Sequence, residues 1–147
     1  MSMYLLVVFA IFVGCGLAAQ AGINSQLRSG LSTPIQAAFI SFLIGTIILG
    51  IIAFSQKQPW FSKHAMTEIP WWAWLGGFLG AFNIAMSIFL APKLGALTLA
   101  VAIVCGQVIA SLMFDHHGWL GYPTITLTPQ RLFGALCIVV GVIFVSK

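Results

Sequence analysis

The feature that most constrains this chain is a succession of apolar runs, each roughly 20 residues long and separated from the next by a short polar break. A helix of that length crosses the hydrocarbon core of a bilayer, where backbone polar groups must be satisfied inside the segment itself. The runs are therefore read as transmembrane helices. Composition agrees: 61% of the residues are hydrophobic and 5% charged, far too little charge to cover a water-soluble surface. In 147 residues such spans leave no room for a separate soluble domain, so residues 1–147 are expected to form one transmembrane domain.

The first span covers residues 4–27 and ends among Gln20, Asn24, Ser25, Gln26 and Arg28. No Lys or Arg precedes Phe9, so the run is read as a helix rather than a cleaved leader. Ser32-Thr33-Pro34 places a capping hydroxyl before a proline at the first helical position, which starts a second span over 34–54. Residues 55–69 are polar, with Lys57, Lys63, His64 and Glu68. A third span, 71–90, opens on Trp71, Trp72 and Trp74, whose amphipathic rings favour the membrane–water interface. Ala91-Pro92-Lys93-Leu94-Gly95 is too short for anything but a return crossing, so the spans on either side are expected to form an antiparallel hairpin. The fourth span covers 96–114, an interfacial loop follows, and Thr128-Pro129 repeats the capped start for a fifth, 130–145. The expected fold is an all-α integral membrane bundle of five transmembrane helices.

With five spans, Lys57, Lys63 and Arg131 fall on one side of the membrane and Arg28, Lys93 and Lys147 on the other, which divides the 6 basic residues evenly. Orientation normally follows an excess of Lys and Arg in the cytoplasmic loops. A chain without that excess is expected to insert both ways and to pair antiparallel with itself. The alternative is a fixed orientation set by finer features. The net charge of +4 is scattered, with no basic stripe for nucleic acid. The 3 cysteines, Cys15, Cys105 and Cys137, lie in apolar runs without metal-type spacing, and no metal or cofactor is expected.

Polar side chains inside a bilayer tend to face a bundle interior or a wet cavity, so their spacing locates the functional face. Gly16, Gln20, Asn24 and Arg28 recur every four residues on the first span, and Gln107, Ser111 and Asp115 do the same on the fourth. The third adds Gly80, Asn83 and Ser87, and the second adds Gln36, Ser41 and Thr46. Any one of these could be interhelical hydrogen-bond glue. The four amides Gln20, Asn24, Asn83 and Gln107 together point to a polar cavity, and amides suit neutral or zwitterionic ligands. No Asp, Glu, Lys or Arg sits in the middle third of a span, and no serine or cysteine there has a paired base. An enzyme is not expected. Asp115-His116-His117, at a helix end, is the nearest titratable group; adjacent histidines point apart, which favours a capping cluster over a metal site. Small-xxx-small pairs such as Ser41 with Gly45, Gly76 with Gly80 and Gly106 with Ala110 are expected to allow close helix packing, and the fifth span, wholly apolar, to meet lipid or another protomer.

Five segments carry a family resemblance in order: Gln20-Ala21-Gly22-Ile23-Asn24-Ser25-Gln26-Leu27, Ser41-Phe42-Leu43-Ile44-Gly45-Thr46, Gly76-Gly77-Phe78-Leu79-Gly80-Ala81, Ala91-Pro92-Lys93-Leu94-Gly95, and Gly106-Gln107 with Ser111-Leu112 and Asp115-His116. In these the chain resembles the YdcZ-like family of the drug/metabolite transporter superfamily, small multi-pass proteins of the bacterial inner (plasma) membrane. The resemblance implies half of a ten-helix, inverted-repeat transporter, which an antiparallel homodimer would rebuild. The four-helix branch of that superfamily uses a glutamate in its first helix for proton exchange; Gln20 and Asn24 stand in that stretch here. The expected function is a small-molecule secondary transporter half with alternating access to a central polar site. Gln20, Asn24, Asn83, Gln107 and Ser111 are the expected contacts to a small polar or amphipathic metabolite, with Asp115 and His116 in coupling or gating. The expected partners are the lipid bilayer and a second copy of the chain or a paralogue. The competing expectation is a non-transporting assembly or accessory protein, in which every amide is bonded to a neighbouring helix.

Overall fold

The structure is a computed structural model that describes residues 3–57 and 69–146. Lys63, His64 and Glu68 of the polar segment lie outside the described residues, as does Lys147. Among the described residues every regular element is helical. Helix α1 spans Met3–Ser29, α2 Pro34–Ser55, α3 Gly76–His117 and α4 Pro129–Val145; 3-10 turns at Trp71–Leu75 and Trp119–Gly121 lead into and out of α3.

Three stretches, Met3–Ser29, Pro34–Ser55 and Trp71–His117, are long and apolar enough to cross a membrane, and α4 is a shorter apolar helix. Their side chains point outward: none of the most apolar window of α1 is buried and only 11% of that of α2. Large exposed groups such as Phe12, Phe54, Phe78 and Phe144 cover the surface. Water would not tolerate so continuous an apolar exterior, whereas acyl chains solvate it.

Both loop-to-helix starts are built by a threonine before a proline. Thr33 is extended and its hydroxyl accepts from the Gln36 backbone N–H at 3.2 Å, while the Gln36 side chain reaches back to accept from Ser32 N–H at 3.0 Å. These two bonds satisfy donors that the first turn of α2 and the residue ahead of its cap would otherwise leave open. At α4 the Thr128 hydroxyl accepts from Arg131 N–H at 3.4 Å.

Helix α3 differs from the five-residue connection expected over 91–95. The backbone stays helical through Pro92 and leaves helical geometry inside the element at Gly95 (φ 73, ψ 164). Pro92 removes one helical N–H, and Gly95 then takes a conformation that a residue with a Cβ adopts only under strain.

The chain divides into two compact units, Met1–Pro92 and Lys93–Lys147. In the first, Ala37 and Ala38 of α2 are buried with Ile88 of α3, and Leu27, Leu31, Ile84 and Ala85 pack around them. The two alanines let backbones approach closely. Gly80 of α3 faces the Phe42 ring of α2, which a Cβ at Gly80 would meet at an ordinary 3.6 Å.

In the second unit the part of α3 beyond Gly95 and α4 run antiparallel. Thr98 Oγ1 donates to the Val145 carbonyl at 3.4 Å at one end, and Asp115 pairs with Arg131 at the other. Gly118 ends α3 in the left-handed region (φ 64), the usual way a helix stops. The loop then folds back so that Ile125 N–H donates to the Asp115 carbonyl at 2.7 Å.

Candidate functional site

Helical periodicity puts Gly16, Gln20 and Asn24 on one face of α1, and in the first unit that face looks onto α2. Between the two helices lies an open cleft of ≈ 430 Å³, lined by Gly16, Ala19, Gln20 and Asn24 from α1 and by Ser41 and Ile44 from α2. Gly16 is midway along α1, so the cleft runs from the middle of the span toward the α1–α2 connection. It exists because the residues at its inner end are small. A Cβ at Gly16 would meet no atom within 4 Å.

Asn24 is the polar centre of this cleft. It is 4% exposed, yet its Nδ2 has no hydrogen-bond partner among the described residues. A buried, unpaired amide donor costs about 1–3 kcal/mol, and native structures rarely keep one without a reason. Gln20, one turn toward mid-span, is half-buried, and Ser41 supplies a hydroxyl from α2. No charged side chain lines the cleft; the nearest charge along the stripe is Arg28, one turn beyond Asn24 in the last turn of α1.

Asn83, also in the first unit, does not line this cleft; it is exposed on α3, one turn before the buried Ser87 (6% exposed). In the second unit Gln107 and Ser111 are both exposed along the α3 stripe that ends at Asp115. Asp115 is half-buried and engaged by Arg131 Nη2, while Arg131 Nη1 is buried without a partner among the described residues. His116 is exposed and packs edge-on against His117, with ring centroids 4.9 Å apart. His117 Nδ1 lies 3.0 Å from the Met113 carbonyl, and its ring stacks on Trp119 at 4.6 Å. Among the described residues no group of three His, Cys, Asp or Glu side chains is placed to hold a metal ion. The cluster at the end of α3 is thus an ion pair beside a ring stack.

The small-xxx-small pairs behave differently from their expected role. Among the described residues, a Cβ at Gly45, Gly76 or Gly106 would meet nothing within 4 Å, as would one at Gly134 and Gly141 of α4. Only Gly80, of the glycines in those pairs, has a neighbouring side chain within 4 Å, the Phe42 ring.

Two features were missed in the sequence. Ser41 stood out as polar, but that it faces the Gln20–Asn24 stripe depends on how α2 is rotated against α1, which no periodicity within α2 fixes. Arg131 counted only as a topological charge; an acid and a base at the two ends of the loop between antiparallel helices would have identified it as the partner of Asp115.

The comparisons with known proteins now bear on these features. Residues 5–144 match the family model described as "Putative inner membrane exporter, YdcZ". The chain is 29% identical over 152 aligned positions to "Inner membrane protein YdcZ" of Escherichia coli (strain K12), covering 100% of this chain and 98% of that protein. No solved structure matches. The membrane-length apolar helices of this chain fit an inner-membrane placement, and the chain belongs to the YdcZ family of inner-membrane proteins.

Proposed function

We propose that this chain is one half of a small-molecule exporter: five spans that pair antiparallel with a second copy and expose a polar site alternately to the two sides of the membrane. The observation that carries the site is Asn24, whose buried amide has an unpaired Nδ2 at the floor of an open cleft. A purely structural bundle predicts each such amide bonded to a neighbouring helix, and Asn24 argues against that reading.

The five-span count rests on length. The 47 residues of Trp71–His117 would make a helix about 70 Å long, more than twice a bilayer core, if unbroken. The break at Gly95 divides the stretch into two pieces that each match one crossing. Pairing rests on exposure and charge. Asn83, Gln107 and Ser111 are exposed on the single chain, where hydrocarbon offers their amides and hydroxyl no partner. The open glycines of α4, Gly134 and Gly141, leave a face on which another helix can approach closely. Six basic residues split evenly between the two sides give neither orientation an advantage.

In this reading Gln20, Asn24, Asn83, Gln107 and Ser111 contact a small polar or amphipathic substrate. Asp115 couples or gates by making and breaking its pair with Arg131, with His116 beside it. The test is flux from proteoliposomes loaded with a panel of neutral, zwitterionic and cationic metabolites, comparing the native chain with Gly16→Leu and Gln107→Ala. Gly16→Leu is expected to abolish flux by filling the cleft, and Gln107→Ala to lower it about tenfold, the loss of one good hydrogen bond. Full flux in both variants overturns the site.

A further inference from the structure

Resting on the reading of this cleft as a substrate site, we infer that it receives the uncharged, mainly apolar part of a ligand that carries a hydrogen-bond acceptor, and that it rejects cations. Three observations converge. The lining is apolar except for Gln20, Asn24 and Ser41, and none of its side chains bears a charge. A cation lodged there would give up its hydration with no carboxylate to replace it. The nearest formal charge on the stripe, Arg28, has the same sign as such a ligand and stands one turn beyond Asn24, in the last turn of α1.

The third observation sets the polar requirement. Asn24 Nδ2 is a donor without an acceptor, so the group that completes it is a carbonyl, ether or hydroxyl oxygen. Nδ2 itself is sealed from solvent, so an occupant of the cleft meets the N–H only when the amide turns, a rotation that the broad, soft terminal torsion of asparagine allows. Gly16 and Ala19 at the inner end leave room for a ring or a short branched chain but offer it no polar contact.

Benzophenone suits the test because it is neutral, has an apolar body and a single carbonyl, and cross-links to nearby C–H bonds under near-ultraviolet light. The purified full chain in lipid nanodiscs is irradiated with benzophenone or with its quaternary-ammonium derivative, and labelled positions are mapped by peptide mass spectrometry. Neutral benzophenone is expected to label Ile23, Leu27 or Ile44, and that labelling is expected to vanish in Gly16→Leu. Asn24→Leu is expected to reduce it roughly five- to tenfold, as loss of one hydrogen bond does. The ammonium derivative is expected to label these positions no more in the native chain than in Gly16→Leu. Gly16→Leu-sensitive labelling by the cation as strong as that by the neutral probe overturns the inference while leaving the cleft a binding site. So does neutral labelling unchanged in an Asn24→Leu protein that elutes and folds as the native chain does. Absence of any Gly16→Leu-sensitive labelling by either probe removes the site itself. The cation comparison uses the native chain, so it stands even if Asn24→Leu does not fold.

Discussion

At the scale of single residues, two glycines, Gly80 inside α3 and Gly118 just past its end, have opposite importance. Gly118 combines a left-handed backbone with a crowded side: a Cβ there would sit 2.7 Å from Thr124 Oγ1. Gly118→Ala is expected to destabilise the protein by about 1–3 kcal/mol, from backbone strain plus the displacement of Thr124. Gly80→Ala adds only an ordinary contact with Phe42 and is expected to change stability by less than about 0.5 kcal/mol. Thermal unfolding of the two variants in the same detergent tests both, and equal midpoints would contradict the contrast. Asn24 shows what could be read at this scale beforehand. The i, i+4 recurrence of Gly16, Gln20 and Asn24 is a property of one helix and is visible in the sequence. That the Asn24 amide lacks a partner depends on what α2 brings to it, and a string of letters does not contain that.

At the scale of elements, the break in α3 concentrates on Gly95. Its φ of 73 with ψ of 164 lies in a region that residues with a Cβ enter only at a cost. Gly95→Ala is therefore expected to destabilise by about 1–3 kcal/mol. Pro92→Ala restores a helical N–H in an already helical turn and is expected to be neutral or mildly stabilising. Unfolding midpoints of the pair check the ordering, and a larger loss at Pro92 would mean that the proline, not the glycine, makes the break. The sequence made a break near 91–95 legible, because proline and glycine together rarely sit in a straight helix. It did not show that the helix continues through the proline, since Pro92 is compatible with helical φ and only its missing N–H is felt. The capping threonines were legible, and Thr33 and Thr128 each accept from the backbone N–H three residues on; that Gln36 completes the first cap instead of joining the polar stripe was not. The Asp115–Arg131 pair was legible only in part: an acid and a base flank the loop in the sequence, but that they meet depends on the loop turning back through Gly118 and the bond from Ile125. With side chains 18% and 32% exposed, this pair lies between surface and buried cases. A double-mutant cycle of Asp115→Asn and Arg131→Gln is expected to give a coupling of about 1–2 kcal/mol. A coupling near zero would leave the loop fold alone holding that end.

At the scale of the whole molecule, the polar side chains left exposed among the described residues set the expectations. Fusions of a cytoplasmic-only and a periplasmic-only reporter to the C-terminus are each expected to be active in a comparable fraction of molecules. Activity on one side only would rule out dual insertion and leave the exposed Asn83 and Gln107 to be covered by a paralogue. Adding two lysines next to Lys57 is expected to bias insertion toward a single orientation and, if the antiparallel pair is the working form, to abolish flux.

The hairpin of the second unit has a mechanical consequence. One end is held by an ion pair and a folded-back loop, the other by the Thr98–Val145 hydrogen bond beside Leu99, which is 3% exposed. Polar groups tie one end and packing ties the other, so the hairpin is clamped at both ends rather than hinged at one. Deuterium uptake is then expected to be slow both around Arg131 and around Leu99.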